Sequence, residues 1–226
     1  MSGTAVLLSG GLDSAVLLAD EIERSTGTVQ PIYVSVGLAW EQAERDAVAA
    51  LLASPPFVSR VGRLASLSVD MSDVYAATHW AIEGRPPSYH TPDEDVYLPG
   101  RNIILLGKAG VYCAAVKLDR LVLGTLAHNP FPDATPEFRS SIARALTLGL
   151  AHELAIDAPY AALSKADVVR RAVALGVRFE RTLSCMSPRD GTHCGTCSKC
   201  RERHDAFLEA GITDPTLYAD QRFVGA

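Results

Sequence analysis

Short unbroken apolar runs alternate with stretches of helical apolar spacing along most of the chain. Thr4–Leu8 and Val29–Val36 have the continuous hydrophobicity of strands buried on both faces. Each is followed by a helical pattern, Ala15–Ile22 after the first and the alanine-rich Ala39–Leu52 after the second, which Ser54-Pro55-Pro56 stops. Val61–Met71 reads as a further strand, Arg101–Lys117 as a helix and Arg120–Gly124 as the next strand. Pro136 suits the first turn of a helix and opens one that runs to about Leu154. Ser164-Lys165-Ala166-Asp167 has the form of a capping box, and the helix behind it ends at Gly176, a usual place for a left-handed cap. This alternation predicts an α/β fold, a parallel sheet flanked by helices on both faces. Two proline-broken loops interrupt it, Glu83–Gly100 and His128–Asp133; the first has the length of a lid or binding loop. Beyond residue 180 the rhythm is lost. Residues 1–180 therefore read as the α/β domain and 181–226 as a small C-terminal appendage.

The turn after the first strand, Ser9-Gly10-Gly11-Leu12-Asp13-Ser14, lies where α/β folds bind ligands, outside the carboxyl end of a strand at a helix start. Glycines let backbone N–H groups approach an anion, and the helix N-terminus adds unsatisfied donors. Ser9 and Ser14 add hydroxyl donors. Asp13 would repel a bound phosphate unless a cation lay between them, so Mg²⁺ is implied. The turn is neither a Walker A loop nor a G-x-G-x-x-G dinucleotide turn.

Four of the five cysteines, Cys185, Cys194, Cys197 and Cys200, crowd into sixteen residues of the appendage. Two C-x-x-C steps plus a fourth thiol suit a closed tetrahedral Cys₄ site of structural zinc. A redox pair or a [4Fe–4S] cluster is the alternative that this spacing leaves open. With the shell filled by sulfur, His193 reads as an exposed loop histidine. The fifth cysteine, Cys113, falls in an apolar helical stretch and reads as inert core.

Composition narrows the classes further. Lys+Arg 21 against Asp+Glu 26 leaves a net charge of −5, which does not favour a nucleic-acid binder. No apolar run reaches the roughly 18 residues of a membrane span, and the opening residues lack a signal peptide's basic flank. A soluble cytoplasmic protein is expected.

Ser9–Ser14 resembles the signature of the N-type ATP pyrophosphatase (PP-loop) superfamily, which implies that Leu8, Ser9, Gly10, Gly11, Leu12, Asp13 and Ser14 hold ATP. Further motifs follow in order: Pro99-Gly100-Arg101-Asn102, Phe131-Pro132-Asp133 before Thr135-Pro136-Glu137-Phe138, Leu163–Asp167, Thr182–Cys185 and the C-G-x-C-x-x-C-R run. Together they resemble the 7-cyano-7-deazaguanine synthase (QueC/ExsB) family from about residue 4 to residue 208. That resemblance implies an ATP-dependent carbon–nitrogen ligase that adenylates a carboxylate and uses ammonia to form an amide and then a nitrile, in queuosine biosynthesis. It implies Asp13, Ser14 and Lys165 as catalytic residues, with Arg101, Asn102, Asp133 and Glu137 toward the substrate. It also implies one structural Zn²⁺ on the four cysteines, ATP with Mg²⁺, and a homodimer; the apolar tail Leu217–Val224 is a candidate contact for it. Two segments depart from the family. Val36–Gln42 stands where a Tyr-Gly-Gln-Arg-His-like loop is usual, and Asp133-Ala134-Thr135 where an acid–Cys–Arg stretch is usual. A paralogue acting on a different carboxylate, or a PP-loop tRNA thiolase, is the alternative; the thiolase requires a reactive thiol outside the metal shell.

Overall fold

In the computed structural model, which describes residues 3–223, five parallel strands form one sheet in the order β3-β2-β1-β4-β5. They are β1 (Thr4–Leu7), β2 (Val29–Ser35), β3 (Ala65–Ser68), β4 (Arg120–Val122) and β5 (Ala155–Asp157). Central β1 pairs with β2 in the register Thr4↔Val29 and with β4 in the register Thr4↔Arg120. The winding reverses between β1 and β4, and a crevice opens outside their carboxyl ends at such a switch point.

Helices cover both faces. On one lie α1 (Leu12–Arg24), α2 (Glu41–Leu52), α6 (Lys165–Ala174) and α7 (Ser198–Ala210), joined by a core of Val16, Leu17, Val48, Leu51, Val169 and Phe207. On the other lie α4 (Arg101–Val116) and α5 (Pro136–Leu150), whose Leu106, Ala109 and Cys113 pack on Leu121 and Ile156. The proline-rich stretch between β3 and α4 holds the single-turn helix α3 (Trp80–Glu83), where His79 Nδ1 accepts from Ala81 N. Among the described residues, no helix is long and apolar enough to cross a membrane.

The parallel α/β layout is as the sequence predicts, with three local differences. The third strand shortens to Ala65–Ser68. The helix opened by Pro136 stops at Leu150, because Ala151 takes a left-handed conformation with φ 48°. The chain then turns into β5, three residues that periodicity does not announce. Thr147 helps here, its Oγ1 accepting from Leu154 N at 3.1 Å.

The cysteine segment packs on the rest of the chain through a shared apolar cluster. Leu183, Met186 and the four cysteines join Val36, Leu38, Trp40 and Leu98, which come from the loops beyond β2 and before α4. Inside α7, the fully buried Arg203 donates to Thr216 Oγ1 (2.6 Å), Thr182 Oγ1 (2.9 Å) and Phe179 O (3.1 Å). Its guanidinium thereby ties the helix to the strands of coil on either side.

Candidate active site and metal centre

The Ser9–Ser14 turn is drawn tight by its own hydroxyls. Ser14 Oγ accepts from Ser9 N and donates to Gly11 O, while Ser9 Oγ accepts from Gly11 N, at 3.2, 3.1 and 3.3 Å. Gly10 is required twice over: its φ is +78°, and a Cβ there would lie 3.1 Å from Val48 Cγ2 and 3.2 Å from Glu44 O. Leu12, by contrast, is buried in the core and serves as an anchor of α1.

Asp13, in the first turn of α1, accepts a hydrogen bond from Lys165 Nζ at Oδ2 (2.8 Å). Its other oxygen, Oδ1, is buried with no partner. Lys165 is the first residue of α6, behind a complete capping box between Ser164 and Asp167. It also donates to Glu202 Oε1 at 2.7 Å, and Lys199 donates to Glu202 Oε2 at 2.5 Å. Burial opposes the charge on Lys165, but Asp13 and Glu202 outweigh it and hold the ammonium protonated above the ordinary lysine range. Burial likewise opposes the charge on Glu202, and the two lysines hold it well below the ordinary glutamate range.

In front of the turn lies a cavity of about 280 Å³, walled by Ser9, Gly11, Asp13 and Ser14 on one side and by Arg101, Asn102 and Asp133 on the other. Asn102 binds Asp133 through its backbone N–H to Oδ2 (3.2 Å) and through Nδ2 to Oδ1 (3.2 Å). Burial raises the Asp133 carboxyl above its usual range, against the pull of those bonds and of Arg101. Arg101 Nε is buried and has no partner. The structure thus brings Asp13, Ser14, Arg101, Asn102 and Asp133 to one cavity. Glu137 stands apart, exposed on the first turn of α5.

Sequence reasoning missed two carboxylates. Glu44 lines the cavity, buried, with Tyr33 Oη donating to Oε2 (3.0 Å) and Trp40 Nε1 to Oε1 (3.1 Å). Burial pushes its carboxyl up, with Arg101 opposing. Glu202 sits on the charged helix behind the last cysteine. Neither leaves a signal in the sequence beyond an acid on a helix.

The four Sγ atoms lie within 4.8 Å of one another, and no disulfide joins them. Cys185–Cys197, Cys194–Cys200 and Cys197–Cys200 are separated by 4.0, 3.8 and 3.6 Å. A tetrahedron of sulfurs about 2.3 Å from zinc has edges of about 3.8 Å, so this donor set fits the ion. Backbone N–H groups of Ser187 and Cys194 point at Cys185, Gly195 at Cys200 and Thr196 at Cys194, as thiolates require. Gly195 has no alternative: a Cβ would sit 1.8 Å from Asp220 O.

The family described as queuosine biosynthesis protein QueC matches residues 4–211. The chain belongs to the QueC family. It is similar to the 7-cyano-7-deazaguanine synthase of Azoarcus sp. (strain BH72), 34% identical, with 94% of this chain and 95% of that protein aligned. That of Methanopyrus kandleri is also 34% identical, with 97% and 100% aligned. Among solved structures it is similar to a predicted subunit of tRNA methyltransferase from Methanocaldococcus jannaschii, at 16% identity over 76% of this chain and 75% of that one, TM-score 0.48.

In this QueC-family chain one expectation about the metal loop is corrected. His193 is buried, where the filled sulfur shell pointed to an exposed ring. Its Nε2 accepts from Ser184 N at 3.1 Å and its ring meets Tyr218 edge-on, so it ties the cysteine hairpin to the preceding strand of coil. Burial, with Arg203 nearby, pulls its pKa down to about 3 and leaves the ring neutral. Cys113 is core as expected, fully buried against the sheet, its thiol pushed up to about 12 by burial.

Proposed function

We propose that this chain converts 7-carboxy-7-deazaguanine to 7-cyano-7-deazaguanine, using ATP and ammonia, and acts on the free base in the cytoplasm. The observation that carries the reading is the QueC-family turn at Ser9–Ser14 facing the partnerless Nε of Arg101 across one cavity. Backbone N–H groups of the turn and the α1 N-terminus receive the ATP phosphates, with Lys165 beside them. Asp13 Oδ1 is the oxygen available to a magnesium ion, which supplies charge neutralisation at the phosphates. Arg101 receives the substrate carboxylate, and the Asp133 and Glu44 carboxylates offer acceptors to the base's ring N–H and amino group.

A carboxylate is a poor electrophile. Attack of its oxygen on the α phosphate gives the acyl adenylate and releases pyrophosphate. Ammonia then displaces AMP with loss of a proton, giving the amide. The amide oxygen attacks the α phosphate of a second ATP, releasing a second pyrophosphate, and departure of AMP with loss of the amide protons leaves the nitrile. The chain's share is positioning and charge stabilisation around the phosphates. Cys185, Cys194, Cys197 and Cys200 would hold zinc as a structural clamp, outside the reacting atoms. Sulfur transfer through Cys113 is disfavoured, because a thiol buried on the opposite face of the sheet has neither access nor thiolate character.

The test is mass spectrometry of products from zinc-loaded protein given ATP·Mg²⁺, ammonium and 7-carboxy-7-deazaguanine, with AMP release followed in parallel. Nitrile with AMP is expected. AMP release on another carboxylate, with this one left untouched, would reassign the substrate while keeping the activation chemistry. A homodimer is also proposed from the family resemblance, with exposed Leu217 as one apolar contact; Val224, at the end of that tail, lies outside the described residues. Sedimentation velocity checks it, and a monomer at working concentration overturns it.

A further inference from the structure

Four charges of alternating sign lead away from the cavity, starting at Asp13 on its wall: Asp13, Lys165, Glu202 and Lys199, joined by contacts of 2.8, 2.7 and 2.5 Å. Asp13 belongs to the turn and Lys165 to the start of α6. Glu202 and Lys199 belong to α7, whose opening turn carries the metal ligands Cys197 and Cys200. The side chains of Asp13, Lys165 and Glu202 are 25%, 15% and 23% exposed, so the chain of pairs is largely shielded from solvent.

The two carboxylates that hold Lys165 are not equivalent. Asp13 has its other oxygen buried and partnerless, the feature that fits a magnesium ion, and a cation there draws on the carboxylate that Lys165 now shares. Glu202 has both oxygens filled by ammonium groups and sits on α7. With Asp13 engaged by such an ion, Glu202 would be the contact left to keep the long, rotamer-rich lysine in place.

We infer that Glu202 is a positioning residue for Lys165: the metal-bearing helix reaches across to hold the phosphate-facing ammonium ready for ATP. The inference rests on the assignment of Lys165 to the phosphates. It makes a prediction opposite in sign to simple electrostatics. By charge alone, Glu202→Gln removes a negative group from an anion site and tightens ATP binding. By positioning, the same change frees Lys165 and weakens it.

The experiment is titration calorimetry of ATP·Mg²⁺ into zinc-loaded full-length protein, for the wild type, Glu202→Gln, Glu202→Asp, Lys165→Met and the Lys165→Met/Glu202→Gln double variant. Zinc content and melting temperature are measured on each. Glu202→Gln is expected to raise Kd by about tenfold at full zinc content, and in the Lys165→Met background to change it by less than about twofold, because the two residues act as one unit. Glu202→Asp, which keeps the charge on a shorter arm, is expected to recover part of the loss. A lower Kd for Glu202→Gln, or an equal loss with and without Lys165, overturns the inference. An unchanged Kd for Lys165→Met overturns the phosphate assignment and this inference with it, whereas failure of Glu202 alone leaves that assignment standing.

Discussion

Asp13 gives its two oxygens different duties, one taken by Lys165 and one left buried without a partner. An unsatisfied buried acceptor costs about 1–3 kcal/mol, a cost that a bound cation removes. Asp13→Ala is therefore expected to fold normally and to lose pyrophosphate release by at least about a hundredfold, as a coupled phosphate assay would show. Glu44 makes a pH prediction. Burial raises its folded value, so the folded state keeps the proton to higher pH than the unfolded chain does. Stability should thus fall as pH rises from the ordinary value of 4.5 through the raised one, and then level off. Glu44→Gln should flatten that slope in urea titrations; an unchanged slope would assign it to another group. Cys113→Ser buries a hydroxyl in an apolar site and should cost about 1–3 kcal/mol with turnover unaffected. At this scale legibility follows sequence distance. Ser9, Asp13 and Ser14 are readable because one turn gathers them. Glu202 is not, because it meets Lys165 from 37 positions away.

Among the elements, α1 carries the largest share of the core and a buried acid at its far end. Asp20, 2% exposed, accepts from Tyr160 Oη (3.3 Å) and pairs with Arg24 (2.9 Å) and Arg171. Both arginines are partly exposed and can resolvate, so the cost of Asp20→Ala falls mainly on the buried Tyr160 hydroxyl. About 1–3 kcal/mol is expected from urea unfolding, with ATP affinity intact because the phosphate turn lies at the helix's other end. The strand–helix alternation, the capping box at Ser164 and the turn at Gly10 were all legible, since each is a local pattern. β5 was not, because Leu150–Leu154 continues an apolar spacing and only the left-handed Ala151 breaks the helix. Strand order was equally hidden, being set by long-range pairing such as Thr4↔Arg120.

For the whole molecule, the four cysteines join the apolar cluster that includes Trp40 and Leu98, so the metal closes part of the main body as well as its own loop. Zinc binding of this kind contributes on the order of 10 kcal/mol, so Cys197→Ala is expected to lose the ion and to melt far lower, as zinc analysis and circular dichroism would show. The position of β1 has a temporal consequence as well. Central β1 leaves the ribosome more than a hundred residues ahead of its second neighbour β4. The lysine on α6 then waits for Glu202 near the end of the chain. At 5–20 residues per second, roughly 10–40 s separate the emergence of the turn from that of its last supporting side chain. Through that interval an unfinished chain carries the glycines of the turn without the Lys165–Glu202 contact.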